Sequence, residues 1–124
     1  MALIKGGMET LRIEDYNFGR IRIDGTTYKN DIKIVNNSVK PDWWRKNGHL
    51  VTHEDLSDIL ESKPEIVIIG KGSPGMMTTD QKLDKELKKK GISLIVKPTQ
   101  EAVKEFNRLQ EENRNVAAGF HLTC

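Results

Sequence analysis

The spacing of apolar residues divides this chain into two kinds of pattern. In the first third, Arg20-Ile21-Arg22-Ile23 and Asp31-Ile32-Lys33-Ile34 alternate charged and apolar positions, which puts the isoleucines on one face of a half-exposed sheet. Short β runs are predicted over Thr10–Asp15, Arg20–Ile23, Thr26–Tyr28 and Asp31–Val35. Gly19, Asp24-Gly25 and Asn30 separate them, and Asp-Gly is a favoured tight-turn pair. The region reads as an antiparallel hairpin or meander.

Beyond the loop from Asn36 to Gly48, helices alternate with buried strands. Thr52 is placed to cap a helix, with Asp55 reaching back to it and Leu56, Ile59 and Leu60 as the apolar stripe, and Pro64 ends it. Glu65–Gly70 is a β-branched apolar run, as expected for a strand covered on both faces. A second helix over Asp80–Lys90 takes Thr79 as its cap, turns Leu83 and Leu87 inward and stops at Gly91. Ile92–Val96 is the next buried strand, and Thr99 caps a longer helix whose Ala102, Val103, Phe106 and Leu109 share one face. Val116–Leu122 is a last strand. Strands separated by helices need crossover connections, so Glu65–Gly70 and Ile92–Val96 are expected to be adjacent and parallel. The predicted fold is α/β in three layers: a central mixed, mostly parallel sheet with helices, and an N-terminal antiparallel hairpin layer.

Length and composition fit one domain over residues 1–124, with 36% apolar and 31% charged residues. The net charge of +2 comes from 20 basic and 18 acidic residues spread along the chain, so no single-sign field is available for nucleic acid. The longest apolar stretch, Ile66 to Ile69, is far too short for a membrane span, and Met1 to Met8 has no signal-peptide apolar region. A cytoplasmic protein is expected. Cys124 is the single cysteine, which excludes an intramolecular disulfide and a thiolate metal cage. His49, His53 and His121 are scattered without metal-ligand spacing, so neither a metal nor a cofactor is predicted.

Gly70-Lys71-Gly72-Ser73-Pro74-Gly75 matches the glycine spacing of dinucleotide-binding loops and follows a buried strand. Three features depart from that fingerprint: the next helix starts only near Thr79, Pro74 stiffens the loop, and Lys97 stands where a carboxylate would hold a ribose. A broader expectation survives. The loops after Gly70 and at Lys97-Pro98-Thr99 leave the same carboxyl edge of a parallel sheet, where ligands of open α/β folds bind. Gly70, Lys71, Gly72, Ser73, Lys97 and Thr99 are therefore the candidate residues of a small anion-accepting pocket. Trp43, Trp44 and Arg45 are a second candidate, for partner binding, although two adjacent tryptophans both facing solvent would be unusual and at least one is expected to pack inward.

The strand ending Val67-Ile68-Ile69-Gly70-Lys71-Gly72 and the segment Thr99 to Ala118 carry a family resemblance. Thr99, Ala102, Asn107, Leu109, Glu112, Arg114, Val116, Ala117 and Ala118 fall on the family's T-x-x-A, N-x-L and E-x-R-x-V-A-A elements. The chain resembles, over essentially its whole length, a small uncharacterised α/β domain family whose eukaryotic relatives include a mitochondrial complex I assembly factor and an adipogenesis-associated protein. Lys71 stands where that family has threonine and Asn113 where it has glycine. The resemblance implies a three-layer α/β fold with a mixed sheet and no established enzymatic activity. For Glu112 and Arg114 the residues themselves suggest a structural helix end.

These readings converge on a non-catalytic binding or assembly-type protein, with a small anion at the carboxyl edge or a protein as its partner. The alternative is an enzyme that uses a phosphate-bearing cofactor or substrate at the Gly70–Gly75 loop. An open edge in the N-terminal strands is compatible with a homodimer.

Overall fold

The computed structural model describes residues 4–5 and 8–124; of the stretch Met1 to Met8, residues 1–3 and 6–7 lie outside them. The chain opens on a small antiparallel pair, β1 (Ile4–Lys5) and β2 (Met8–Glu9). A three-stranded antiparallel meander follows, β3 (Ile13–Asn17), β4 (Arg20–Ile23) and β5 (Thr26–Tyr28). Asp24 and Gly25 both take positive φ, 45° and 85°, the conformation a two-residue hairpin turn needs. In β4 the burial alternates as the sequence pattern predicts, with Ile21 and Ile23 buried and Arg20 and Arg22 exposed.

The central sheet has five strands in the order β11-β9-β12-β6-β7. These are β6 (Ile32–Val35), β7 (Ser38–Lys40), β9 (Ile66–Lys71), β11 (Ser93–Lys97) and β12 (Val116–His121). β11, β9 and β12 run parallel, β6 runs antiparallel to β12, and β7 antiparallel to β6. The minor pair β8 (Leu50–Val51) and β10 (Thr78–Thr79) is parallel. Helices α1 (Ser57–Ser62), α2 (Gln81–Lys89) and α3 (Thr99–Glu111) supply the crossovers, α1 preceded by a 3-10 turn at Glu54–Leu56.

Side-chain alternation splits the core into two sheets of contact, one on each face of the central strands. Ile66, Ile68, Ala118 and Phe120 pack with the meander and with Ala102, Phe106 and Leu109 of α3. Val67, Ile69 and Ala117 pack with Trp43, Ile59, Leu83 and Leu87 on the other side. This is the three-layer α/β arrangement the pattern predicts, and each fully buried aromatic such as Phe106 contributes about 2 kcal/mol.

Several boundaries differ, each for a local reason. The run read as the fourth hairpin strand, β6, joins the central sheet instead, because its alternating isoleucines pair with β12. β7 lies inside the segment read as loop; Asn36 and Asn37, both at positive φ, make its turn without glycine. β11 is half-buried rather than buried, since it is an edge strand with β9 as its one neighbour. Thr52 does not cap α1, yet the Asp55 carboxylate accepts from both its N–H and its hydroxyl, at 2.9 and 3.0 Å. Asp80, not Thr79, caps α2, accepting from the Lys82 amide. Thr99 is the first helical residue of α3, with Pro98 at the cap. Glu112 pairs with Arg108 and Arg114 with Glu65, so the two residues at the end of α3 hold different neighbours. Asn113 takes φ 59° there, the left-handed conformation that closes a helix and that asparagine tolerates better than most residues.

The meander is fastened to α3 by side-chain amides. Asn107 accepts from the Ile13 N–H (2.9 Å) and donates to the Ile13 carbonyl (2.8 Å), while Gln110 accepts from the Leu11 N–H (3.1 Å). A backbone group left without its partner costs about 1–3 kcal/mol. Asn107→Ala should therefore destabilise the protein by about 2 kcal/mol in urea unfolding. A loss of only a few tenths would mean that packing alone holds β3.

Candidate functional site

At the carboxyl edge of the central sheet, adjacent strands bring Lys97 beside Gly70 and Lys71 beside His121. The Gly70 loop is closed over this edge. A Cβ on Gly70 would come within 2.8 Å of the Phe120 ring and 2.9 Å of the Thr99 hydroxyl, so glycine is required by close approach. Gly72 takes φ 96°. Its N–H donates to the Thr99 hydroxyl (2.9 Å), its carbonyl accepts from the Thr99 N–H (3.1 Å), and the Ser73 N–H donates to the Thr123 carbonyl (3.0 Å). The Thr99 hydroxyl completes the knot by donating to the His121 carbonyl (2.6 Å). The Gly72 and Ser73 amides are thus bonded within the chain. The Lys71 stem packs against Gly75, and Lys97 is exposed. The six predicted residues are thus neighbours, but as a packed turn.

The same edge is open two strands away. A cavity of about 290 Å³ lies between segments 29–31 and 43–45, Gly48 and the C-terminal segment 121–123. Asp31, at the entry to β6, is its centre. One carboxylate oxygen, Oδ2, accepts from Arg45 Nη2 (2.7 Å) and from His121 Nδ1 (2.7 Å), and Oδ1 accepts from the Leu122 N–H (2.8 Å). Burial alone pushes the Asp31 carboxyl up; the His121, Leu122 and Arg45 donors outweigh it and hold it below its ordinary value. Tyr16, whose hydroxyl donates to the Leu122 carbonyl (2.9 Å), is raised by burial and by the Asp31 charge.

Arg45 is also placed by Gly48 and Trp43, and its Nη2 lies 3.3 Å from His121 Nδ1. Its Nε and Nη2 donate to the Gly48 carbonyl at 3.3 and 3.0 Å, and its guanidinium lies 4.5 Å from the Trp43 ring centre. Trp43 is buried, as expected of one of the pair, and donates from Nε1 to the Asp55 carbonyl (3.2 Å). Its ring presses on β12 so closely that a Cβ on Gly119 would meet it at 2.7 Å. Trp44 is 78% exposed at the cavity rim. The partner-binding candidates therefore separate into a structural tryptophan, a buried cation and one exposed aromatic.

Two polar atoms of this cluster are buried without a partner, Arg45 Nη1 and His121 Nε2. With Nδ1 turned to the Asp31 carboxylate, Nε2 is the ring nitrogen left for another partner. The arrangement leaves a guanidinium nitrogen and an imidazole nitrogen unpartnered on two residues that line one cavity. Among the described residues no group of three His, Cys, Asp or Glu side chains is arranged to hold a metal. Arg45 and His121 lie 76 residues apart in sequence, and nothing local to either pointed to the other.

Removing the Asp31 charge leaves Arg45 buried without a counter-ion, so Asp31→Asn should cost about 3 kcal/mol near neutral pH by chemical denaturation. The depressed carboxyl fixes the sign of the pH effect. The stability it adds is in place above its ordinary value, about 3.9, and is lost as pH falls through the lower folded value. The gap between wild type and variant should therefore close only below about pH 4.

Comparison with known proteins places this architecture. A solved protein called MT938 is 34% identical, with 93% of this chain and 100% of that chain covered and a TM-score of 0.78. An outer membrane protein from Bartonella henselae is 27% identical over 93% and 97% of the two chains, TM-score 0.79. The conserved hypothetical protein PH1505 from Pyrococcus horikoshii OT3 is 26% identical over 91% and 99%, TM-score 0.78. Among the described residues of this chain no helix is long and apolar enough to cross a membrane. Residues 13–121 match the family described as "Protein of unknown function (DUF498/DUF598)", and the chain belongs to that family.

Proposed function

We propose that this protein is a non-catalytic binding or assembly-type module that takes a small organic anion in the cavity beside Asp31, at the carboxyl edge of its central sheet. The observation that supports this best is the pair of unpartnered buried atoms, Arg45 Nη1 and His121 Nε2, on residues lining that cavity. Native proteins rarely leave buried donors unused, and such groups mark places where another molecule supplies the partner. Asp31 offsets the charge of Arg45, so the added cation for an anion is Lys29 at the rim. Trp44 adds a flat apolar surface. A carboxylate or phosphate on a small apolar body fits that combination. The Gly70–Gly75 loop lends little support to a phosphate-using enzyme, its Gly72 and Ser73 amides being bonded within the chain. A single cysteine and balanced charge suit the cytoplasmic setting that goes with this reading.

The test is a titration with inorganic phosphate, citrate and benzoate followed by amide and imidazole NMR shifts. Saturable shifts are expected at Gly48, Leu122 and the His121 ring. Lys29→Ala and Trp44→Ala, both rim variants, should each weaken binding about fivefold with the fold intact. Lys71→Ala should change nothing. Shifts confined to Gly72, Ser73 and Thr99, with sensitivity to Lys71→Ala, would return the site to the glycine loop and reject the cavity.

A further inference from the structure

The two edges of the central sheet are finished differently. β7 is short and ends at Lys40-Pro41, a charge and a residue without an N–H, both of which discourage a further strand. β11 runs from Ser93 to Lys97 with three consecutive apolar residues, Leu94, Ile95 and Val96, all half-buried. Among the described residues no strand pairs with its outer side. The Ser93 N–H donates to the Glu65 carbonyl (3.0 Å), so Ser93, Ile95 and Lys97 point their backbone groups at β9. By the same alternation Leu94 and Val96 present N–H and C=O to the open side.

A groove of about 560 Å³ follows this edge, lined by Asp84 and Lys88 of α2 and by Ser93 and Leu94. Asp84 contributes an unusual feature. Its Oδ1 is buried and has no hydrogen-bond partner. An uncompensated acceptor beside an unprotected strand edge calls for a donor from outside the chain.

We propose that a second copy of this chain pairs here, adding its own β11 antiparallel across a two-fold axis at Ile95. In that register Leu94 faces the partner's Val96, and the outward N–H and C=O groups of the two exchange hydrogen bonds reciprocally. The five-stranded sheets become continuous, and α2 lies antiparallel to its symmetry mate. Asp84 and Lys88 are one helical turn apart, so the two-fold turns each Asp84 carboxylate toward the partner's Lys88, the donor Oδ1 lacks in the single chain. This self-complementary charge pattern selects a second copy over other extended segments. The contact is short, which makes the dimer weak and dependent on concentration.

Sedimentation velocity over a concentration series, with amide hydrogen exchange on the same samples, tests this. The mass should rise from one chain to two while the Leu94 and Val96 amides gain protection over the same range; the Ile95 amide, bonded to β9, should be protected throughout. Asp84→Lys and Lys88→Glu should each weaken association roughly fivefold, and the double reversal should restore it. Val96→Pro, which removes an outward N–H, should give monomer; if it fails to fold, the charge reversals decide. A chain that stays monomeric at NMR concentrations overturns the proposal. So does a dimer in which the Leu94 and Val96 amides exchange freely.

Discussion

A carboxylate taken out of water must be surrounded by donors, and Asp31 is where this protein meets that demand. The donors come from two distant parts of the chain: Arg45 from the loop after β7, and the His121 ring and Leu122 amide from the end of β12. The backbone carbonyl of Asp31 also accepts from the Trp43 N–H, at 2.7 Å. One residue thus sets where β6 begins, where the last strand ends and how the Trp43–Arg45 turn lies on them. Losing any donor would leave the rest holding a poorly compensated charge, so the cluster is retained or lost as a unit.

This arrangement also explains which part of the carboxyl edge is filled. Over β9 the Thr99 hydroxyl links Gly72 to His121, and Gly70 and Gly72 admit the close contacts that a Cβ would block. Over β12 and β6 the chain meets the edge with long polar side chains rather than backbone. Guanidinium and imidazole groups pack less completely than a glycine turn, and the cavity is what remains between them. The cavity thus lies on the β12–β6 side of the edge at which open α/β sheets generally hold their ligands.

The sequence made the layers legible because burial imposes period: the isoleucines of β4 and β6, the unbroken run of β9 and the apolar face of α3 each have one structural solution. It could not show that β6 leaves the meander, since an alternating strand suits either sheet and only pairing with β12 decides. Nor did it reveal β7, whose turn uses two asparagines where glycine is the usual sign. The cluster of Asp31, Arg45 and His121 at this edge was not legible, because the three come together only when strands distant in sequence become neighbours. Of these, Arg45 alone stood out beforehand, for its place beside the tryptophans.

The contact between Trp43 and Gly119 carries a consequence for how such a sequence can drift. The ring occupies the volume that any side chain at position 119 would need, so neither position can change size alone. A smaller residue at 43 would open a hole under the Arg45 guanidinium, which alanine or serine at 119 would then help to fill. The two positions should vary as a matched pair among relatives, large with small, and a relative that breaks the match has to have moved its Arg45 equivalent away from β12.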